Sequence, residues 1–591
     1  MGHLRVGLAQ LNLWLGDLDG NAEMIRAAYD EAVGLGAQVV VFSELTVTGY
    51  PPEDLLLKPA FVKGAARVLG EIARHTGEVP SVVGFPEDSG QTGPVRLWNS
   101  AAMCLGGEVR GVFRKHLLPN YAVFDEQRYF LAGTAAGPLM QIDSVSVGVS
   151  VCEDLWGPPL TADAPAHDGG LPSAVGSAAD TSPALAQVAM GAQLLVNLNG
   201  SPYRRGKQTD REAIARTRAS TLGVPVVYVN QVGGQDELIF DGSSFVTDAA
   251  GEVVCRLPAF AEQVAVCDVE VSNGGTPARP GRVTRTRDGA VNVLSSRLAP
   301  LAEVWQALVT ATRDYVRKNG FSEVVIGLSG GIDSSAVAAI ATDALGAEHT
   351  HGVSMPSRYS SDGSRSDAAV LAANLGIDFR TMPIESAHAA LGGMLAGAAP
   401  EPEPGSDDEA AAGLADQNIQ SRIRGVALMA LSNRFGWLVL TTGNKTETSV
   451  GYTTLYGDTA GAYAVISDVP KLLVYELCEW RNRQPGGERI PRACITKPPS
   501  AELRPDQRDD QSLPPYELLD PIVEAYVEGD LTVAEAVEVG AKHGASAELV
   551  ERVTRLVDIA EYKRRQSPPG PRISAKSFGK DRRMPITNLF R

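Results

Sequence analysis

The chain has 591 residues, a formal net charge of −17 at pH 7 and six cysteines, none of them in a C-x-x-C pair. This length fits two to four domains with well-buried cores. The acidic balance, with an isoelectric point near 5.1, argues against nucleic acid or an anionic membrane as the main partner. Scattered cysteines suit a reducing compartment, and neither a membrane-spanning run nor a signal-peptide pattern is evident, so we expect a cytoplasmic protein.

The first part of the chain alternates predicted strands and helices. We predict strands over Leu4–Asn12, Gln38–Phe42 and Ser81–Phe85, and helices over Asn21–Leu35 and Phe61–His75. Helical stretches repeat their apolar residues every three to four positions, whereas the strands are short apolar runs. The alternation favours layers of helix packed on sheet.

Three reactive side chains follow in this part of the chain. Glu44 comes just after the strand that ends at Phe42, Lys115 stands in the sequence FRKHLLPNY, and Cys152 ends the predicted strand Val145–Val151. Taken singly, each has an ordinary explanation, since a lone cysteine at a strand end is usually buried packing. A lone glutamate or lysine beside a strand is usually solvated.

Together, the three local sequences resemble the nitrilase (carbon–nitrogen hydrolase) superfamily over about residues 1–270. The resemblance implies an α-β-β-α sandwich with a catalytic triad of Glu44, Lys115 and Cys152. By this resemblance, Glu44 takes the thiol proton, Cys152 attacks an amide carbon, and Lys115 stabilises the oxyanion. Glu126 is expected to help orient the lysine or the attacking water.

The glutaminases of that superfamily also suggest how an amide substrate is held. The resemblance assigns glutamine binding to Tyr121, Ser201 and Lys207. Arg204 and Arg205 remain alternatives to Lys207 because they lie in the same short basic stretch.

Composition sets the domain limits and points to two insertions. Residues 158–182 and 397–413 are rich in small, polar, proline or acidic residues and read as mobile insertions. A Gly/Pro/Arg/Thr stretch begins at residue 273 and resembles a linker. We therefore assign one domain to residues 1–272, a linker to 273–298 and a second domain to 299–591.

A glycine-rich turn dominates the second half. The apolar run Val324–Leu328 reads as a buried strand, the sequence SGGIDSS follows it, and a predicted helix comes next. Glycines let backbone N–H groups approach an anion, and serine hydroxyls and the helix N-terminus add donors, so the turn suits phosphate. It lacks the lysine of the G-x-x-x-x-G-K-S/T loop, which disfavours a kinase or GTPase. The plain alternative is a Ser/Gly connection between strand and helix.

Further polar motifs follow the later predicted elements. DQNIQSRIR opens a helix at residue 416, TTGNKTETSVGY follows a buried strand at 441, YGD begins at 456, and VPK ends at Lys471. The strand end at Ser354 and Met355 is a candidate adenine contact, because strand ends line the ligand crevice of a doubly wound sheet. Solvated helix surface is the alternative for the polar residues of DQNIQSRIR.

The SGGIDSS turn resembles the PP-loop of the N-type ATP pyrophosphatases, and the later motifs resemble the NAD synthetases. With the nitrilase-like half attached, the chain resembles the glutamine-dependent NAD synthetase family. The resemblance implies a doubly wound parallel sheet in the second half and a homo-oligomer, from a dimer up to an octamer. It also implies L-glutamine, ATP and deamido-NAD as substrates, with Mg2+ as cofactor and no nucleic-acid or membrane partner.

The same resemblance distributes roles over the second half. Asp333 and Glu447 are the expected Mg2+ ligands. Asn418, Glu447 and Lys563 are expected near deamido-NAD, with Lys576 and Lys580 as alternatives to Lys563. The expected ATP-binding residues are Ser329, Gly330, Gly331, Ile332, Asp333, Ser334, Ser335, Thr442 and Lys471.

Other functions compete with this interpretation. A PP-loop amidotransferase that makes GMP or asparagine usually carries a different glutaminase fold. A plain amidase with a fused nucleotide-binding module has no need of Glu447 and Lys471 beside the loop. A non-enzymatic nucleotide sensor is disfavoured because Glu44, Cys152 and Asp333 are all present.

Overall fold

The computed structural model describes residues 2–93, 95–134, 136–156, 182–271, 293–398, 403, 405–505 and 507–588. The chain forms two compact units, one of residues 1–235 and 239–298, and the other of residues 236–238 and 299–591. Most of the expected insertion at 158–182 and of the expected linker at 273–298 lies outside the described residues. Within those residues, no helix is both long and apolar enough to cross a membrane.

The first unit contains two main sheets and a set of helices. Its strands are β1 (Gly2–Gln10), β2 (Val39–Val41), β3 (Ser81–Asp88), β4 (Leu97–Leu105), β5 (Glu108–Arg114), β6 (Met140–Ile142), β7 (Val145–Val151), β8 (Leu194–Asn199), β9 (Val226–Asn230), β10 (Val232–Gln235), β11 (Leu238–Asp241), β12 (Phe245–Thr247), β13 (Val253–Arg256) and β14 (Gln263–Val271). Its helices are α1 (Leu18–Gly34), α2 (Pro59–His75), α3 (Glu153–Trp156), α4 (Pro183–Ala189) and α5 (Lys207–Leu222). One sheet has the order β14-β1-β2-β3-β4-β5 and the other β13-β12-β9-β8-β7-β6.

Three buried clusters explain the layering of this unit. Val6 of β1, in the first sheet, packs in one core with Val149 of β7, in the second sheet. Ile25 of α1 packs in a second core with Val40 on the outer side of the first sheet. Ala215 of α5 packs in a third core with strand residues of the second sheet. Alternation along each strand thus buries both sheet faces, and the predicted α-β-β-α sandwich is confirmed.

The second unit is built on one parallel sheet. Its strands are β15 (Val324–Gly327), β16 (Thr350–Ser354), β17 (Asp378–Thr381), β18 (Leu438–Thr441) and β19 (Tyr463–Ala464). Its helices are α6 (Pro300–Lys318), α7 (Ile332–Leu345), α8 (Asp362–Leu375), α9 (Glu385–Ala396), α10 (Asp407–Phe435), α11 (Lys445–Val450), α12 (Lys471–Asn482), α13 (Arg492–Thr496), α14 (Tyr516–Val523), α15 (Val533–Lys542), α16 (Ala547–Ile559) and α17 (Glu561–Arg564). The strand order is β17-β16-β15-β18-β19, with parallel pairing throughout.

This order places a crevice beside β15. Because the chain winds outward from β15 in one direction and then from β18 in the other, the connections after these two strands diverge. The glycine-rich turn follows β15 and the TTGNK motif follows β18. The predicted doubly wound parallel sheet is therefore confirmed, and both motifs lie at its carboxyl edge.

One expectation about the insertions is wrong. Residues 407–413, which we expected to belong to a mobile insertion, form the first two turns of α10. Ser406 caps this helix by accepting a hydrogen bond from the Glu409 N–H. Asp407 and Asp408 follow in the first turn, where carboxylates interact favourably with the helix dipole. Local capping therefore outweighs the low apolar content that suggested disorder.

Candidate active sites

The first unit holds a buried charge cluster at the carboxyl ends of its strands. Lys115 Nζ lies 2.7 Å from Glu44 Oε1 and 2.8 Å from Glu126 Oε1, and the Lys115 side chain is 0% exposed. Burial alone would lower the pKa of Lys115, but the charges of Glu126 and Glu44 raise it well above its ordinary value. The lysine is therefore a permanent cation held between two carboxylates.

Glu44 is oriented by two further donors. Asn99 Nδ2 donates to Glu44 Oε1 at 2.7 Å, and the Gly200 N–H donates to Glu44 Oε2 at 2.9 Å. With Lys115, these contacts fix both oxygens of the carboxylate. Asn99, which the sequence analysis missed, lies on β4 and gave no motif signal. Its position became apparent only when the sheet brought β4 beside the loop after β2.

Cys152 lies at the turn between β7 and α3. Its backbone adopts φ 49°, which is uncommon for a residue other than glycine, and its N–H donates to Leu198 O at 2.8 Å. Burial raises the pKa of the Cys152 thiol well above its ordinary value, an effect that the Lys115 ammonium opposes and the Glu44 charge reinforces. The resting group is thus a neutral thiol that needs a base when it attacks.

Glu126 is the second carboxyl group of this cluster. Burial and the Glu44 charge raise the pKa of Glu126 to about 8, against the opposing effect of Lys115. The Tyr50 hydroxyl donates to Glu126 Oε1 at 3.1 Å. A carboxyl group with this pKa can hold a proton near neutral pH, whereas Glu44 accepts three hydrogen bonds as an acceptor-only carboxylate does.

Two of the residues expected to hold glutamine contact helix α3, which begins directly after Cys152. Tyr121 donates its hydroxyl proton to Glu153, the residue next to Cys152. Lys207 Nζ lies 4.7 Å from the centroid of the Trp156 ring, a cation–π contact on α3. The acidic Glu153 and the ring that the basic Lys207 contacts therefore belong to the same short helix, α3. Glu153 is a residue that the sequence analysis did not single out.

The buried Arg211 side chain donates two hydrogen bonds to Ser201. Arg211 Nε donates to Ser201 Oγ at 3.1 Å and Nη2 donates to Ser201 O at 2.7 Å. Asp241 neutralises the guanidinium at 2.5 Å. Of the alternatives to Lys207, Arg204 pairs with Asp210 at 2.7 Å, and Arg205 is exposed.

All six cysteines are free and buried. Cys152 is 4% exposed, and the others are 1% exposed or less. No three or more histidine, cysteine, aspartate or glutamate side chains cluster as metal ligands anywhere in the described ranges.

The second unit contains a cavity of about 500 Å³ at the carboxyl edge of its sheet. The turn after β15 forms one wall, where Gly330 has φ 75° and a side chain would clash with Ser364 O. Ser329 Oγ accepts from the Gly331 N–H at 3.2 Å. Helix α7 starts without a capping side chain, so its first N–H groups face the turn as a phosphate site requires.

Asp333, Glu447 and Lys471 meet inside this cavity. Lys471 Nζ lies 2.5 Å from Asp333 Oδ2 and 2.9 Å from Glu447 Oε1. Burial alone would lower the pKa of Lys471, but these two carboxylates raise it. Asn444, at the start of α11, accepts from the Glu447 N–H at 2.9 Å and donates to Asp333 Oδ1 at 3.2 Å. Asn444 thus links the Asp333 carboxylate to the backbone of Glu447, and it gave no separate signal in the sequence.

The other expected ligands of this unit also line the cavity, together with Thr442, except Gly330 and Ser335, which lie in the same turn but not in the cavity wall. Asn418 Oδ1 accepts from Thr454 Oγ1 at 2.9 Å. Lys563 Nζ donates to Gly451 O at 2.7 Å and to Thr453 O at 2.8 Å. In the part of the chain that is described, neither Lys576 nor Lys580 lines the cavity. Tyr516, another missed residue, donates to Glu447 Oε1 at 3.2 Å.

Comparison with known proteins yields matches to both units. A carbon-nitrogen hydrolase family model matches residues 5–168 and 182–276, and an NAD synthase family model matches residues 304–567. The glutamine-dependent NAD(+) synthetase of Thermotoga maritima is 42% identical and aligns over 100% of both chains. That of Rhodobacter capsulatus is 42% identical over 99% of each chain.

Solved structures give the same result. The glutamine-dependent NAD+ synthetase from Acinetobacter baumannii, in complex with ADP, matches with TM-score 0.72 and 38% identity over 99% of each chain. The corresponding protein from Cytophaga hutchinsonii matches with TM-score 0.80 over 99% of this chain and 98% of its own. Its 21% identity makes that likeness one of fold.

Proposed function

Because the chain belongs to the glutamine-dependent NAD(+) synthetase family, we propose that it converts deamido-NAD to NAD with ATP and glutamine-derived ammonia. The observation that carries this proposal is the presence of two complete constellations in one chain. The first unit has a thiol beside a buried Glu–Lys pair, and the second has a phosphate turn beside Asp333, Glu447 and Lys471. We assign the glutaminase to residues 1–272 and the synthetase to 299–591.

The first unit releases ammonia. Glu44 takes the proton of Cys152, whose sulfur attacks the carboxamide carbon of glutamine, and the Lys115 ammonium balances the oxyanion. Glu44 returns this proton to the leaving nitrogen, so ammonia leaves as the thioester forms, and water then attacks the thioester to give glutamate and restore the thiol. Tyr121, Ser201 and Lys207 position the glutamine. The Glu153 carboxylate, beside Tyr121, suits the α-ammonium group of that glutamine.

The second unit activates a carboxylate. A carboxylate oxygen of deamido-NAD attacks the α-phosphorus of ATP, and pyrophosphate leaves. Ammonia then attacks the acyl carbon of this adenylate, and AMP leaves with the carboxylate oxygen. The turn of residues 329–335 and Thr442 bind ATP, while Asn418, Glu447 and Lys563 border deamido-NAD. Lys471 supplies positive charge to the transferring phosphoryl group.

Mg2+ fits the residues present. The Asp333 and Glu447 carboxylates converge on a single cation, the Lys471 ammonium, so they already present hard oxygen atoms toward one point. Two carboxylates plus phosphate and water oxygens are the ligand set that Mg2+ prefers. When bound, the ion would neutralise phosphate charge and orient the triphosphate.

A homo-oligomer is supported by exposed apolar side chains on two helices. Helices α9 and α10 expose Met394 at 72% and Val426 at 68%, together with Leu395 and Met429. Exposed apolar side chains in this number suit contact with a second copy of the chain. Light scattering should therefore give a mass of at least twice the 62.3 kDa of one chain.

The test follows NAD, AMP and glutamate together with purified protein, ATP, Mg2+, deamido-NAD and either glutamine or ammonium chloride. We expect NAD and AMP in equal amounts, and a Cys152→Ala variant that makes NAD from ammonium alone. Cys104→Ala, at another buried cysteine of the same unit, should retain both nitrogen sources. Absence of NAD with both sources would refute the synthetase assignment, and glutamate without NAD would point to a different acceptor.

A further inference from the structure

Lys445 is a buried lysine that the proposed reaction does not use. Its side chain is 1% exposed, and its Nζ lies 2.8 Å from Asp468 Oδ1 and 2.7 Å from Glu528 Oε1. The same atom donates to Ser574 Oγ at 2.7 Å. A buried ammonium is tolerated only when it is paired and hydrogen-bonded, and these contacts meet that requirement.

The partners of Lys445 bring in a remote segment of the chain. Asp468 Oδ2 accepts hydrogen bonds at 2.8 Å from the N–H groups of Ile573 and Ser574. Lys445 Nζ itself donates to Lys576 O at 3.1 Å. Residues 573–576 are thereby attached to both members of the Lys445–Asp468 ion pair. We call this ion pair with residues 573–576 the brace.

Lys445 and Asp468, the two members of the ion pair, are close in sequence to residues of the proposed adenylylation site. Lys445 follows Asn444 and precedes Glu447 on the same short helix, α11. Asp468 lies three positions before Lys471, and the Lys445 N–H donates to Val469 O at 2.9 Å. The ion pair therefore connects the backbone that carries Glu447 to the backbone that carries Lys471.

We propose that Lys445 is a positioning residue for adenylylation, which acts through the brace to set the spacing of Glu447 and Lys471 around Asp333. This inference rests on the proposed function. Because carboxylate ligands depend on the shell that holds them, loss of the brace should weaken Mg2+-dependent nucleotide binding rather than binding of nucleotide alone. The C-terminal residues 573–576 thus belong to the synthetase site without touching substrate.

The test compares the wild type with Lys445→Met and Ser574→Ala. Calorimetry with α,β-methylene ATP, which cannot release pyrophosphate, gives Kd with Mg2+ and with EDTA. We expect Mg2+ to tighten binding in the wild type, and Lys445→Met to reduce that tightening by at least about tenfold. Ser574→Ala removes the hydrogen bonds of the Ser574 hydroxyl to Lys445 and Asp468 and should reduce the Mg2+ effect by about threefold. This milder variant keeps a readout if Lys445→Met does not fold.

Arg481→Met is the matched control. Arg481, on α12 of the same unit, forms an ion pair at 2.7 Å with Asp343 of α7. The Arg481→Met substitution should lower the melting temperature but leave the Mg2+ effect on Kd unchanged. The inference is overturned if folded Lys445→Met keeps the wild-type Mg2+ effect, or if Arg481→Met loses it equally. Wild type that makes no NAD would instead refute the proposed function.

Discussion

Replacing Lys115 with methionine tests the glutaminase assignment most directly. The side chain is fully buried and pairs with Glu44 and Glu126, so the substitution leaves two carboxylates without their cation. Breaking a buried ion pair costs about 3–5 kcal/mol. We expect the lower end of that range, because Glu126, with its pKa raised to about 8, can take up a proton and remove one of the charges.

We expect Lys115→Met to abolish most glutaminase activity even though the variant remains folded. Removing one oxyanion donor lowers kcat by about 10²- to 10³-fold. A loss of about 3 kcal/mol still leaves most proteins folded at 25 °C, since folding free energies are about 5–15 kcal/mol. Glutamate release should therefore nearly vanish in a folded variant.

The assay measures glutamate release and ammonium-supported NAD formation in the same preparation, with denaturant unfolding of each variant. Lys63→Met, the same substitution at an exposed position of α2, serves as control and should behave as wild type. Glutamate release within tenfold of wild type would refute the oxyanion role. Equal loss of NAD formation with ammonium would show that the variant is damaged beyond the glutaminase.

Two further predictions concern the second unit. Lys471→Met should slow deamido-NAD-dependent exchange of pyrophosphate into ATP by about 10²- to 10³-fold while glutamate release is unchanged, and an active variant would refute its role. Burial raises the pKa of Asp458 from 3.8 to about 6, so its carboxyl binds a proton more tightly in the folded chain. Stability from this group is present below about pH 4 and lost as pH rises through 6, by about 1.4 kcal/mol per pKa unit. Asp458→Asn should flatten that part of the unfolding free energy against pH, and an unchanged slope would contradict the assignment.

Sequence patterns predicted which candidate residues lie at strand ends. Glu44, Cys152 and the turn at 329–335 each follow an apolar strand, and parallel strand ends share one edge of a sheet. The apolar runs were also sufficient to predict layers of helix on sheet, because the periodicity of apolar residues decides which face of each element is buried.

Contacts between distant parts of the chain could not be predicted in this way. Asn99 of β4 and Gly200, just after β8, both contact Glu44, and Lys445 contacts Ser574 across 129 positions of the chain. A single sequence carries no signal for such pairings. The prediction for residues 407–413 was wrong although a local signal was present. Their low apolar content suggested a mobile insertion, but Ser406 caps a helix that starts at Asp407.

The burial of every cysteine has a practical consequence for counting molecules. Five of the six thiols are 1% exposed or less, and Cys152, at 4%, is the one that the proposed reaction uses as its nucleophile. A small electrophile shaped like a carboxamide should therefore label one sulfur per chain. Such a reagent would titrate the fraction of competent glutaminase in any preparation, independently of how fast the second unit turns over.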